Sequence, residues 1–210
     1  MPEPVWTISA RAVDGFVGCG LDMVWGGQES RQFVTNVGLV TTDGPHGRNI
    51  MTCEWSHHIS YRPGLLAVCV GPRDATHDNI ESTRQFGVGL ASVDQTVLSS
   101  LAGGYTGKEF DKVAALQELG FKFRDAQEIM VPMVEGTALS MECRLTDQRG
   151  FGDHTMFVGE ILVALADAAR VPLIYHQGRY GRAVLDLPKP SDDERKHYGA
   201  VFSKHRKHDS

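Results

Sequence analysis

The sequence predicts a mainly β fold, a single barrel-like domain with a few peripheral α-helices. Three observations carry that prediction. Glycine and proline, 23 and 9 of the 210 residues, are spread between short β-like runs, and such punctuation favours many turns over long helices. Leu139, Met141, Cys143 and Leu145 alternate with Ser140, Glu142 and Arg144, which gives a strand one apolar and one polar face. The helical signals are short, each a single apolar stripe closed by glycine.

Phe33 to Thr42 is a β-branched run, Asp43-Gly44-Pro45-His46-Gly47 turns, and Asn49 to Trp55 returns as the second arm of a hairpin. In that arm Asn49, Met51, Cys53 and Trp55 share one face, and Ile50, Thr52 and Glu54 the other. Arg62-Pro63-Gly64 punctuates the chain, and Leu65 to Val70, apolar on both faces, predicts a buried strand. A helix follows from Thr76 through Thr83, with Thr76 as N-cap and Asn79 where Glu or Gln would complete a capping box. Phe86 to Ala91 returns to strand character. Asp94 caps a helix carrying Val97, Leu98 and Leu101 and stopped by Gly103-Gly104; Asp111 caps another carrying Val113, Leu116 and Leu119 and stopped by Gly120. After the alternating run from Leu139, turn-rich Thr146 to Asp153 leads to a strand from about His154 to Ala166, and this pair forms the spine of the barrel. From Ser191 the chain is polar and charged, the pattern of a mobile or arm-like tail.

Composition excludes several function classes. With 21 Lys+Arg against 26 Asp+Glu, the formal charge is −5, whereas a nucleic-acid-coating protein needs a basic surplus to neutralise phosphates. Cys19, Cys53, Cys69 and Cys143 form no CxxC pair, so free thiols in a reducing cytoplasm are expected rather than a disulfide scaffold. The amino terminus lacks a basic stretch followed by an apolar core, and apolar runs such as Leu65 to Val70 are too short to cross a bilayer. The expectation is a soluble cytoplasmic domain with neither nucleic-acid nor membrane partners.

No GxGxxG, GxxxxGK[ST], GxSxG or HExxH is present, which removes the usual grounds for a Rossmann nucleotide site, a P-loop, an α/β-hydrolase or a zincin. Cys53, His57 and His58 form the tightest metal-like cluster, yet no second half supplies further ligands. Gly71-Pro72-Arg73-Asp74-Ala75-Thr76-His77-Asp78-Asn79 joins a buried strand to a helix start and combines a guanidinium, a hydroxyl and helix N–H donors. Those are the parts of a phosphate site; equally, Thr76 merely caps the helix and Arg73 pairs with Asp74 or Asp78. His154 follows Gly152-Asp153 at the start of a strand, where a lone histidine is more often structural than catalytic.

Taken in order, these segments resemble the flavin reductase-like family of FMN-binding split-barrel proteins, which includes flavoredoxins and the reductase components of two-component monooxygenases. The residues concerned are Val37 to Thr42, Asn49 to Trp55, Ile59-Ser60 with Pro63, Arg73 with Thr76 and Asn79-Ile80, Phe86-Gly87-Val88, and Gly152-Asp153-His154 leading to Val158-Gly159-Glu160-Ile161. The likeness covers roughly Phe33 to Arg182, and it divides the chain into an N-terminal extension (1–30), the split-barrel domain (31–188) and a polar tail (189–210).

The resemblance implies that Asn49, Met51, Thr52, Cys53 and Glu54 line the flavin ring, largely through backbone groups, and that Arg73, Thr76 and Asn79 hold the FMN phosphate. His154 would lie near the flavin or the incoming nicotinamide. Implied too are a homodimer with a flavin site near its interface, NADH or NADPH as hydride donor, and a monooxygenase or other electron acceptor as partner. The chain departs from the family pattern at Cys53-Glu54, where a small residue or Ser is usual, and at Pro63-Gly64, where two prolines are common. Strand alternation leaves open whether Cys53 or Glu54 faces the flavin. Two other functions stand beside the reductase: an FMN electron carrier with no nicotinamide site, and a non-redox module built on Cys53, His57 and His58.

Overall fold

In the computed structural model, residues 22–24 and 26–207 are described; most of the expected N-terminal extension, Cys19 included, lies outside them. The β-branched run over 33–42 is divided at Val37 into β1 (Val34–Asn36) and β2 (Gly38–Thr42), which join different sheets. Glycine permits the break, since a Cβ at position 38 would stand 2.9 Å from the Ser56 Cβ. β2 then pairs antiparallel with β3 (Asn49–Cys53), from Gly38 opposite Cys53 to Thr42 opposite Asn49, so the predicted hairpin is present.

The residues after Trp55 form β4 (Ser56–Tyr61) and β5 (Gly64–Val70), then α1 (Ala75–Thr83) and β6 (Gln85–Leu90). Next come α2 (Thr96–Gly104), α3 (Lys112–Glu118), and the short pair β7 (Phe123–Asp125) and β8 (Pro132–Val134). The long pair is β9 (Leu139–Phe151) and β10 (His154–Ala166); β11 (Leu173–His176), β12 (Arg179–Arg182) and α4 (Asp192–Lys204) complete the order. A seven-stranded antiparallel sheet runs β3-β2-β6-β9-β10-β5-β4, and β1, β11 and β12 make a second, three-stranded sheet. Although β3 and β4 are the two edges of the large sheet, they are consecutive in sequence, and the Cys69 N–H donates to the Trp55 carbonyl at 2.9 Å. The sheet therefore curls until its edges meet at residues 53–56, giving a split barrel.

Inside the barrel Val40, Cys53, Leu66, Phe86 and Phe157 form the main core. On the outer face of β2 and β3, Leu39 and Ile50 pack against Leu98 and Ala102 of α2 and Val113 and Leu116 of α3. Each large apolar side chain so buried contributes about 1.5–3 kcal/mol, enough to fix which way β3 faces.

Local details differ from the sequence expectations. The N-cap of α1 is Asp74 rather than Thr76, which lies in the first turn and is fully buried. Ser92, not Asp94, opens the second helical region: it forms a capping box with Gln95 around a 3₁₀ turn, while Asp94 pairs with Arg170 at 3.0 Å. Asp111 does cap α3, accepting from the Ala114 N–H at 3.0 Å. The strands flanking residue 152 extend through the stretch expected to be turn-rich, because Gly152 at φ +59° closes a tight hairpin. The tail is helical in α4, started by a Ser191/Glu194 capping box, and none of its residues is buried.

Candidate functional site

A cavity of about 80 Å³ lies where β3, the start of α1 and the α2–α3 connection converge, lined among others by Asn49, Thr52, Thr76, Gly107 and Lys112. Asn79 sets this convergence up. Its amide donates to the Thr42 hydroxyl and the Gly47 carbonyl, each at 3.0 Å, and its Oδ1 accepts from the His46 N–H at 3.0 Å. These three bonds tie α1 to the β2–β3 turn and deliver Asn49 to the cavity wall. Thus Asn79, expected to touch a phosphate, has its amide committed to the turn, and it builds the site rather than lining it.

Asn49 is buried, and its Nδ2 donates to the Thr76 Oγ1 at 2.8 Å. Its Oδ1 is also buried but has no hydrogen-bond partner among the described residues, an arrangement that costs about 1–3 kcal/mol unless a donor arrives. Gly107 faces that atom closely: a Cβ there would stand 2.6 Å from the Asn49 Cγ and 3.2 Å from the Ala75 Cβ. Opposite, the Asp74 side chain makes no capping hydrogen bond to α1, so among the described residues the first-turn N–H groups of Ala75 and Thr76 lack a capping side chain. Such groups, with the helix dipole, favour an anion.

Lys112 supplies the buried cation. Its Nζ donates to the carbonyls of Ala102 and Tyr105, each at 3.0 Å, and one of its three donors has no partner among the described residues. Burial pushes its pKa down to about 8, opposed by the nearby Asp74 carboxylate, so it remains mostly protonated at neutral pH. Arg73, by contrast, is exposed beside the cavity and makes no ion pair among the described residues.

The two faces of β3 separate the residues that alternation left open. Met51 and Cys53 point into the barrel, and burial pushes the Cys53 thiol up to about 12. Glu54 lies on the face of Ile50 and Thr52; its carboxyl is raised by burial, and its charge in turn helps raise the Tyr175 phenol. Among the described residues β3 pairs with β2 alone, so within them the other edge of its backbone has no partner strand, and such an edge offers N–H and C=O groups to a ligand.

His154 sits beyond the Cys53 end of β3. Its Nδ1 lies 2.7 Å from the Asp153 Oδ1, and its ring meets the half-exposed Trp55 edge-on at 4.7 Å between centroids. Thr155, the next residue, pairs with Val70, which places His154 where β5 runs into the Arg73 loop. His57 and His58 stand exposed on edge strand β4 while Cys53 faces the core. Among the described residues no group of three or more His, Cys, Asp or Glu is placed to hold a metal ion.

The structure therefore gathers Asn49, Met51, Thr52 and Thr76 around one cavity, with Arg73 at its rim and Glu54 and His154 farther along. Sequence reasoning missed Tyr105, Thr106, Gly107 and Lys112, which also line it. The close glycines at 103, 104 and 107 were the available signal; Lys112, following a helix cap, reads in sequence like any surface lysine.

A family model for the flavin reductase like domain matches residues 30–183. The chain is 31% identical over 164 residues to the FMN reductase (NADH) SmoA of Agrobacterium fabrum, across 75% of this chain and 88% of that protein. An uncharacterized protein of Archaeoglobus fulgidus is 31% identical over 114 residues, a match spanning 54% of this chain and 63% of the other. Among solved structures the fold resembles BorF, the flavin reductase component of a bacterial two-component tryptophan halogenase, with TM-score 0.64 and 27% identity over 76% of this chain and 94% of that one. With the family model covering well over half the sequence and SmoA matched along most of its length, the chain belongs to the flavin reductase-like family.

Proposed function

We propose that the protein is an NAD(P)H-dependent flavin reductase that binds the ribityl phosphate end of its flavin in the cavity between β3 and α1. The orphaned Asn49 Oδ1 carries this reading. It can only accept a hydrogen bond, so it suits a ribityl hydroxyl, while the uncapped first turn of α1, Thr76 and the Lys112 ammonium suit the phosphate. Arg73 adds attraction from the rim. The free backbone edge of β3 over Thr52 to Glu54 holds the ring's polar heteroatoms. The Cys53 thiol, turned into the core, takes no part.

When bound, the flavin would supply the redox chemistry, hydride acceptance from the nicotinamide, that no side chain of this chain can perform. The chain's task is to position, desolvate and tune. Trp55 and His154 seat the nicotinamide as a flat ring against exposed aromatic surface, and the Asp153 hydrogen bond fixes the imidazole's orientation. Burial raises the Glu54 carboxyl, the direction desolvation imposes on an anion at the edge of an enclosed site. FMN is the flavin in this reading, NADH or NADPH the donor, and a cytoplasmic homodimer the working form. A monooxygenase or other acceptor takes the reduced product.

Equilibrium dialysis against FMN and riboflavin tests the site. FMN is expected to bind saturably and more tightly than riboflavin, and Thr76→Val is expected to narrow that difference. Equal binding of the two flavins, or none, would refute the phosphate placement.

A further inference from the structure

The chain continues past residue 183, where the family match ends, into a segment that the flavin site does not use. Pro188 and Pro190 stiffen its first part, and α4 follows. The sequence of α4 is built to be a helix. A Ser191/Glu194 capping box closes its start, Asp192, Asp193 and Glu194 fill the first turn, and Lys204 stands in the last, the charge order that the helix dipole favours. Yet its thirteen residues are marginal as an isolated helix in water, where stability comes mainly from packing an apolar face. α4 carries such a face: Tyr198, Val201 and Phe202 stand at i, i+3 and i+4, one stripe along the helix. They are 46%, 40% and 78% exposed.

The charges beside the stripe indicate what covers it. Asp192 and Asp193 are paired within the helix, with Arg195 at 3.2 Å and Lys196 at 3.7 Å. Glu194 is not: its Oε2 accepts from Ser191, and its Oε1 has no partner among the described residues. With about 3.6 residues per turn, Glu194 and Lys204 flank the stripe on the same side, Glu194 one turn before Tyr198 and Lys204 just beyond Phe202. An apolar patch with an acid at one end and a base at the other complements its own copy turned end for end. That is the isologous relation of a two-fold contact, whereas parallel pairing would set acid beside acid and base beside base.

We propose that α4 pairs antiparallel with α4 of a second copy of this chain. Tyr198 and Phe202 of each copy then meet Phe202 and Tyr198 of the other, and Glu194 of each lies beside Lys204 of the other. The apolar stripe supplies most of the attraction, since an exposed ion pair contributes little; the charges fix the direction. The pairing gives two copies a contact outside the barrel. It uses no residue of the flavin site, so its failure leaves the reductase reading standing.

Zero-length carbodiimide coupling of the full chain, with the linked peptides identified by mass spectrometry, provides the test. Ten helical residues separate Glu194 from Lys204 by about 15 Å, too far for a direct amide within one chain, so a link between these two side chains joins two copies. That link is expected in material migrating as a covalent dimer. Phe202→Ser, at an exposed position, should reduce its yield roughly tenfold or more, because symmetry removes the ring from both sides of the contact, and Phe202→Tyr should retain it. No Glu194–Lys204 link in the unmodified protein would overturn the proposal, as would a yield undiminished in Phe202→Ser. Lys204 coupled instead to carboxylates of the barrel or of residues 1–21 would place the helix against another part of the chain and equally overturn it.

Discussion

Gly107→Ala is the sharpest probe of the cavity, because the consequences of one added methyl group follow from measured space. The new Cβ would stand 2.6 Å from the Asn49 Cγ and 3.2 Å from the Ala75 Cβ. Ala75 is held in α1, so Asn49 must give way. It can do so only by stretching or breaking its 2.8 Å bond to Thr76, and a buried hydrogen bond disrupted on one side costs about 1–3 kcal/mol. The displaced amide and the methyl group also occupy a cavity of only about 80 Å³. Loss of the Asn49 contact should weaken FMN binding by roughly tenfold to a hundredfold, since each 1.4 kcal/mol is a factor of about ten. Equilibrium dialysis measures the affinity, and a thermal melt of the flavin-free variant shows that the fold survives. A Gly107→Ala protein that melts normally and binds FMN within about twofold of the original would refute the placement of the flavin against Asn49.

Other consequences can be tested alongside. Lys112 has a pKa brought from its usual 10.5 down to about 8 by burial. FMN affinity should therefore fall as pH rises from 7 to 9 and the ammonium is lost, while riboflavin affinity stays level. The unfolded chain holds this proton up to about pH 10.5 and the folded chain only to about 8, so Lys112's contribution to flavin-free stability rises with pH across that window. Denaturant titrations of the original protein and Lys112→Met at pH 7.5 and 9.5 isolate it; equal differences at the two pH values would contradict the assignment. Arg73→Ala should weaken FMN binding a few-fold at low ionic strength, with the difference fading as salt screens an exposed guanidinium; a salt-independent loss would mean that Arg73 is enclosed in the complex. His154→Ala should raise the KM for the nicotinamide while leaving the FMN dissociation constant within about twofold, and the reverse pattern would move His154 to the flavin. Glu142→Ala should destabilise the fold by about 3–5 kcal/mol, because this buried carboxylate accepts from the N–H groups of Gln127 and Glu128 and pairs with Arg124. Chemical denaturation reads that effect, and a loss below about 1 kcal/mol would contradict the role given to those bonds.

Much of the barrel was legible where the determinants are local. The β2–β3 hairpin follows from a turn between two alternating runs, the β9–β10 spine from alternation, and the start of α3 from Asp111. What could not be read depends on contacts between distant segments. β4 gives no strand signal in the sequence, since an exposed edge strand lacks an apolar face, and the sheet of β1, β11 and β12 depends on the distant pairing of Val34 with His176. The facing of Cys53 and Glu54 was undecidable from alternation alone; the packing of Ile50 under α2 and α3 decides it. Asn79 shows the same limit within the site. Its place in a phosphate-like loop was visible, but its commitment to Thr42 and Gly47 belongs to a turn more than thirty residues away.

The most direct test is turnover. Purified protein mixed with flavin and either NADH or NADPH, without oxygen, should bleach the flavin band and the nicotinamide band together, one equivalent of each. The rate should depend on the protein and fall in Gly107→Ala in step with its flavin affinity. No protein-dependent loss of either nicotinamide, with FMN or FAD present, would contradict the reductase.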